Sequence, residues 1–439
     1  MKKVLVIVYY WPPSGGGGVQ RWVKFTQYLP EFGWQPTVFA PEGADYPLVD
    51  HSLEQEVRDD IEVIRYPIFE PRKVYQRWMR GSQGQEKKAS TDEIFYIPPD
   101  RLSLKQRLSL WVRGNLFIPD ARFFWIRPSV NFLKHYLKQN PVDLIITTGP
   151  PHSVHLIGRA LKKALGVAWI ADFRDPWTDI EFYDKMLLTP YADRKHRRLE
   201  KAVLQEAEVV SMVTYHWVDK FKRMGAQRTE MLTNGYDAKD FQAQGDVPLS
   251  EHFMLSHVGT LANDRNPHGL WQVLRELCDE VAGFREHLRI HLVGKVDPAI
   301  WRSLEGYGLQ DNGMDGGYVN HQAAVRIMKQ SQVLLLLINQ SAQNAPGRMT
   351  GKIFEYLAAQ RPILCIGLEE SDPARVLAET QGGVVCDFED LAKLKAQLMA
   401  FYEQYRKGEL KVHTNRYQRF DRVQITKRLA QIMDEVVDR

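Results

Sequence analysis

The stretch VIVYYWPPSGGGGVQRW, residues 6–22, runs an apolar segment into four consecutive glycines, Gly15 to Gly18, and leaves through an amphipathic one. Val6 to Tyr10 reads as a buried strand and Val19 onward as a helix. Glycines at such a turn bare the amides of the helix start, where the helix dipole favours negative charge, so the loop is a generic anion cradle. A mobile turn is the bland alternative, but four glycines lose much backbone entropy on ordering, which favours a ligand. The spacing is not the dinucleotide G-x-G-x-x-G: counted from Gly15 the last position is Gln20, and from Gly16 it is Arg21. Glu42, past the second strand, can imitate a ribose-binding acid, yet the missing third glycine weakens a nicotinamide reading. No G-x-x-x-x-G-K-[ST] occurs, which excludes a P-loop.

Outward from this turn, short apolar runs at 37–40, 62–66, 143–147, 168–172, 209–214 and 230–233 suit further buried parallel strands, with helix-period segments between most of them. The alternation predicts an α/β fold with a doubly wound sheet. It restarts with runs at 253–258, 289–293, 332–338, 362–366 and 383–386. A chain of 439 residues exceeds one ordinary core. We therefore expect two Rossmann-like doubly wound domains facing across a cleft, residues 1–244 with an insertion at 71–140, and residues 245–415. Residues 416–439 are expected to pack back on the N-terminal domain as a helix, with Ile425, Leu429, Ile432 and Val436 on one apolar face. Asn234 and Gly235 suit a hinge turn. Ligands of such sheets bind beyond the carboxyl ends of the strands.

With 44% hydrophobic and 26% charged residues, the composition is that of a soluble globular protein. Three cysteines, Cys278, Cys365 and Cys386, are odd in number and set in apolar contexts, which argues for a reducing, cytoplasmic setting. No signal-peptide cleavage site follows the first apolar run, and no run approaches the length of a bilayer span. The net charge of +4 is unevenly spread: from Arg101 to Asn140, eight basic residues face a single acid, Asp120, with aromatic residues interleaved. Residues 80–93 read as partly disordered, and the chain as helical after Leu102. Leu104, Leu108 and Trp111 then share one helical face, with Lys105, Arg107 and Arg113 off it, which suits the interface of an anionic membrane. A solvated helix packed on the first sheet is the alternative. The charges are local and no nucleic-acid module is present, so nucleic acid is not an expected partner.

A second informative stretch is APGRMTGKIFEYLAAQRPIL, residues 345–364. Gly347 and Gly351 bracket a helix start, with Thr350 as the expected N-cap. Lys352 and Glu355, at i and i+3, share one face while Ile353, Tyr356 and Leu357 turn to the core. A cation and bare amides suit a diphosphate, and a carboxylate one turn on suits two neighbouring hydroxyls such as a ribose diol. An exposed Lys–Glu pair without a ligand fits the same spacing. His152 and His155 follow the fourth strand. Asp172, Arg174 and Asp175 close the fifth, either as an internal ion-pair cluster or, the reading preferred, as ligands of acceptor or sugar hydroxyls.

GKIFEYLAAQRPIL resembles the donor-site segment of family 4 glycosyltransferases of the GT-B fold. So do GGGGVQRW, TGPPHSVHLIGRALKKALGVAWIADFRDPWTD (residues 148–179), LTNGYDAKDF and SHVGTL, in family order over nearly the whole chain. The resemblance implies a retaining transferase of the bacterial surface-polysaccharide type. Glu355 is then implied on the ribose hydroxyls, and the amides from Met349 to Lys352 on the diphosphate. The implied donor set comprises Gly16, Gly17, Gly18, Gly259, Thr260, Arg265, Lys295, Arg348, Thr350, Gly351, Lys352 and Glu355. His152, preferred to His155, is implied beside the transferred sugar and forms the catalytic set with Lys295 and Arg265. Gln20, Arg21, Asp172, Arg174 and Asp175 are the implied acceptor or sugar ligands. Two positions depart from the family: Gly347 stands where a Glu precedes Glu355 by eight, and Thr260 where an Arg commonly follows the first glycine of G-x-L. Phosphate charge then falls to Arg265, Lys295, Arg348 or Lys352.

No Asp-x-Asp is present. The resemblance implies that cations and helix N-termini replace a metal, so no metal cofactor is expected, and that the donor phosphate accepts the acceptor's proton. The expected partners are a nucleotide-diphosphate sugar and a saccharide acceptor. The acceptor is lipid-linked if residues 101–140 meet a membrane, the protein then being peripheral at the inner face of the cytoplasmic membrane. A nucleotide-sugar epimerase or phosphorylase, and a non-catalytic nucleotide-sugar binding protein of the same fold, are the alternatives.

Overall fold

The computed structural model describes residues 1–70, 102–338, 345–412 and 414–438. The chain divides into two compact units, Met1–Thr233 with Ile425–Arg439, and Asn234–Gln424. The division falls at 233/234 rather than at the expected 244/245, because the hinge segment pairs with the end of the second unit. Tyr236 N–H donates to the Phe420 carbonyl (3.0 Å) and Arg422 N–H to that of Tyr236 (2.8 Å).

The first unit is a seven-stranded parallel sheet: β1 (Lys2–Val8), β2 (Trp34–Glu42), β3 (Glu62–Pro67), β4 (Leu144–Gly149), β5 (Ala168–Phe173), β6 (Val209–Met212) and β7 (Thr229–Met231). They lie in the order β3-β2-β1-β4-β5-β6-β7. In β1, Val4, Val6 and Val8 enter one core, shared with Trp22, Phe25 and the C-terminal residues Ile425, Leu429, Ile432 and Val436. Leu5 and Ile7 point the other way, against Trp125, Leu133, Ile157 and Leu161. A strand covered on both faces must be apolar throughout, which is why this run never alternates. The helix Arg422–Val437 brings its apolar face into the first core, and Lys2 bonds Asp434 (3.0 Å) and Asp438 (2.8 Å) across its end.

Of the expected insertion, residues 71–101 lie outside the described residues, and with them the tract expected to be disordered. Helices Leu104–Leu116 and Phe123–Gln139 follow, the first started by a reciprocal capping box between Ser103 and Gln106. Leu104, Leu108 and Trp111 are 84%, 62% and 39% exposed. Of the remaining aromatic residues, Trp125 is buried and stacks on Phe39 at 5.2 Å, and Phe132 and Tyr136 pack against the same core, Phe132 meeting Tyr66 at 4.7 Å. Arg122 is likewise internal, 3.5 Å from Glu70 and over the Tyr9 ring. The basic–aromatic face expected over 101–140 therefore narrows to the helix Leu104–Leu116 and its surroundings. Among the described residues, no helix is long and apolar enough to cross a membrane.

The second unit carries six parallel strands: β8 (Phe253–Val258), β9 (Leu288–Val293), β10 (Gly313–Gly317), β11 (Val333–Leu337), β12 (Ile363–Ile366) and β13 (Gly383–Cys386), in the order β10-β9-β8-β11-β12-β13. Both sheets are doubly wound, as expected, and both reverse direction beside their first strand, at β1/β4 and β8/β11. Loops leaving the carboxyl ends on either side of such a reversal part to form a crevice, where ligands of open α/β sheets bind.

Candidate functional site

At the β8/β11 reversal, Gly259 follows β8 with φ +145°, a conformation L side chains rarely adopt. Gly294 does the same after β9 (φ +118°), and a Cβ there would stand 2.5 Å from the Gly259 carbonyl oxygen. These glycines let the two loops run together. Gly259 N–H donates to Val293 O (2.8 Å) and Leu261 N–H to Lys295 O (2.9 Å). The helix Lys352–Ala358 begins on the other side of the reversal. Its Ile353, Tyr356 and Leu357 are buried, as the spacing predicts. The Tyr356 hydroxyl accepts from Val258 N–H at 2.8 Å, which ties the helix start to the end of β8. Thr350 Oγ1 accepts from Lys352 N–H at 3.1 Å, while Gly351 is the residue immediately before the helix.

Lys352 and Glu355 therefore come to the mouth of this crevice as a pair, Nζ to Oε2 at 2.6 Å. Glu355 keeps only 15% of its side chain exposed, so the pair is not a freely solvated one. Lys352 Cε passes 3.6 Å from where a Gly259 Cβ would stand. Arg265 closes the turn Asn263–Arg265 on the same loop, and Thr260 is exposed. Arg348 is half-buried ahead of the helix. Lys295 is exposed at the end of β9, one strand further from the reversal. Two histidines escaped the sequence reading. His257, in β8, is buried beneath the loop. His321 Nε2 lies 3.0 Å from Asp240, whose hydrogen bond raises its pKa, and it feels the charges of Glu355 and Lys352. A histidine two residues ahead of a strand-end glycine is the only sequence signal for the first, and the second has none.

In the first unit, the helix Gly17–Tyr28 starts from exposed Gly16 and Gly17, with nothing within 4 Å of a Cβ at either. Gly18 differs: a Cβ there would stand 1.5 Å from Arg174 Nη1. Arg174 donates to the carbonyls of Gly149 (3.4 Å) and Pro150 (2.5 Å), so its guanidinium is set against the start of the glycine helix. Gln20 is half-buried and Asp175 exposed. The His152 ring lies parallel to Trp177 at 5.0 Å. Burial pushes its pKa well below the ordinary value and leaves it neutral. His155 is fully buried and pushed down to about 3, chiefly by burial. The Thr147 hydroxyl accepts from Trp169 Nε1–H (2.9 Å) and is hydrogen-bonded to His155 Nδ1 (2.8 Å).

Arg21 and Asp172 are a correction. Both were expected to meet acceptor or sugar, yet they are 0% and 1% exposed and bonded to each other at 2.6 and 3.0 Å. The remaining capacity of Asp172 is taken by Trp22, Thr148 and Ser211, and Arg21 also reaches the Leu232 carbonyl. Groups so enclosed have nothing left to offer a ligand. The internal ion-pair reading is the correct one for these two, while Arg174 is half-buried against the glycine helix and Asp175 is exposed.

Residues 16–236 match the family model of a glycosyl transferase 4-like domain. A comparison with curated proteins gives no match. Among solved structures, sucrose-phosphate synthase (tll1590) from Thermosynechococcus elongatus aligns with a TM-score of 0.63 at 16% identity, over 100% of both chains. Anabaena Alr3699/HepE in complex with UDP-glucose gives 0.58 at 14%, over 99% of this chain and 100% of that one. The apo form of the lipopolysaccharide outer core galactosyltransferase WaaB gives 0.57 at 13%, over 98% and 99%. At such identities the likeness speaks for the fold.

Proposed function

The chain belongs to the glycosyl transferase 4-like family and is a glycosyltransferase of the GT-B type; we propose that it moves a sugar, with retention, from a nucleotide-diphosphate sugar to a saccharide acceptor. The observation that carries this reading is the Lys352–Glu355 pair, held at the β8/β11 reversal against the Gly259 loop. Glu355 takes the ribose diol, since an ionised carboxylate accepts from two hydroxyls at once. Lys352, Arg348 and Arg265, with the amides of 349–352, neutralise the diphosphate as it departs, and stabilising that growing charge is the largest part of the catalysis. Lys295 serves a more distant phosphate oxygen. His152, neutral on Trp177, positions the transferred sugar, and the leaving phosphate takes the acceptor's proton. That HepE was solved with UDP-glucose supports a donor of this class.

A thermal-shift screen against UDP, GDP, ADP and their sugars tests the donor site. One nucleotide is expected to raise the melting temperature, and Glu355→Ala to abolish that rise; an undiminished shift in the variant removes Glu355 from the ribose. Because cations stand around the phosphates, we propose that no divalent metal is needed. Donor turnover should then survive EDTA, and a loss restored by Mg²⁺ or Mn²⁺ contradicts this. For the acceptor we propose a lipid-linked saccharide of cell-surface polysaccharide synthesis, met at the inner face of the cytoplasmic membrane. The support is the exposed Leu104, Leu108 and Trp111 beside the exposed cations Lys105 and Arg107, each cation near an anionic surface adding about 1 kcal/mol. Co-sedimentation with phosphatidylglycerol vesicles should fall sharply in Leu108→Glu and be absent with neutral vesicles.

A further inference from the structure

His257 stands at the carboxyl end of β8, two residues ahead of Gly259, and is 5% exposed. Its Nδ1 lies 3.1 Å from the Leu335 carbonyl of β11, so the neutral ring carries its proton there and donates. Nε2 has no hydrogen-bond partner, and the nearby Thr260 backbone favours the protonated ring, as an accepting carbonyl does. A neutral imidazole thus satisfies one carbonyl and turns a lone pair on the other. Only the imidazolium, a donor at both nitrogens, satisfies both. Burial opposes that form most, and Arg265 and Lys352 add their repulsion, which together hold the pKa down at about 4. Lys352 and the ring share one small volume: Cε and Nε2 are 3.6 and 3.9 Å from the point a Gly259 Cβ would occupy. The other ionisable groups around them are committed, Glu355 to Lys352 and Tyr356 to Val258.

A diphosphate drawn to Lys352 and Arg265 cancels the repulsion they add to the burial penalty and brings negative charge of its own beside the ring. We propose that His257 takes up a proton from solvent when the diphosphate of a nucleotide sugar binds, its Nε2–H then bonding the Thr260 carbonyl and fixing the Gly259–Thr260 backbone beside the ligand. His257 is on this account a positioning residue, and the inference rests on the donor site proposed above. The sign follows from linkage: the bound state holds its proton more tightly, so donor affinity is highest at low pH and is lost as pH rises through the bound-state pKa.

Calorimetric titration of UDP-glucose, ADP-glucose and GDP-mannose into the full chain at about pH 6, in buffers of low and high ionisation enthalpy, counts the protons taken up. The wild type should give a binding enthalpy that rises with buffer ionisation enthalpy, corresponding to a fraction of one proton per ligand. The slope should vanish in His257→Asn, whose amide can keep the Leu335 bond, and in His257→Gln, whose amide can reach Thr260. Nitrogen spectra of labelled imidazole in the wild type, which need no variant to fold, should show Nε2 changing from lone pair to N–H on ligand addition. A flat wild-type slope overturns the proposal, as does a slope that survives both variants and disappears in His321→Gln. Binding of none of the three sugars overturns the donor reading instead, and this inference with it.

Discussion

Asp172 accepts five hydrogen bonds, two from Arg21 and one each from Trp22, Thr148 and Ser211. Thr148 and Ser211 are its register partners on β4 and β6, so three neighbouring strands meet in one polar row inside an apolar sheet. Burial pushes the carboxyl pKa up, but Arg21 and these donors outweigh it, and the group ends below its ordinary value. A depressed carboxylate stabilises the fold above its unfolded pKa, near 4, and that contribution is lost as pH falls through the folded pKa. Asp172→Asn should therefore cost about 3–5 kcal/mol at neutral pH by leaving the Arg21 cation buried and unmatched. Its urea midpoint should also fall less steeply than the wild type's below about pH 4. Arg21→Met with Asp172→Leu should recover much of the loss, because no lone charge remains. The sequence shows a charge at the end of a buried strand. It does not show that the partner lies on a helix 151 residues earlier, and that distance is why the ion pair was not preferred here, while the pairing of Lys352 with Glu355, one turn apart, was legible.

The glycine turn is an element whose last three members do different things. Gly16 needs its positive φ of +108°, Gly17 has open space where a side chain would go, and Gly18 leaves room for Arg174. Gly17→Ala should leave stability near wild type, since a Cβ there meets nothing. Gly18→Ala meets the far end of a flexible side chain, so it should shift Arg174 aside at little cost in stability. If Arg174 contributes to turnover, Gly18→Ala and Arg174→Ala should lower the donor turnover rate alike. The double variant should then be no worse than either, because the two changes remove one interaction. Fully additive losses would show that the loop and the guanidinium act separately. Among elements, the strands of both sheets were legible wherever they were continuously apolar, as in VLLLL of β11. β10 was not, because its sequence is GMDGG and it lies at a sheet edge, where register alone makes it a strand. Trp125, Phe132 and Tyr136 were misread for a related reason. Periodicity reveals that a helix has an apolar face, but not whether a sheet or a membrane covers it.

Across the whole molecule, the chain enters the second unit at Asn234 and leaves it at Gln424, so the first unit is completed only by the last residues of the sequence. Leu429, Ile432 and Met433 are at most 1% exposed in the core that β1 and the glycine helix share, and Trp34 Nε1 and Lys2 hold Asp434 from opposite ends of the chain. Leu429→Ala removes buried methyl groups from that core, at about 2–5 kcal/mol. The donor proposed here belongs to the other unit, and a ligand that binds only the folded form raises stability by RT ln(1 + [L]/Kd), about 2.7 kcal/mol at a hundredfold excess over Kd. The two perturbations should therefore separate in scanning calorimetry. Leu429→Ala should lower one transition and leave the other, and the nucleotide sugar should raise the other and leave the first, in wild type and variant alike. Should both treatments move a single transition, the two units unfold together, and stability lost at the C-terminal helix would be felt at Glu355. In that case, weakened donor binding in a first-unit variant could no longer be read as a lost contact, and every variant tested for acceptor binding would need its donor affinity measured beside it.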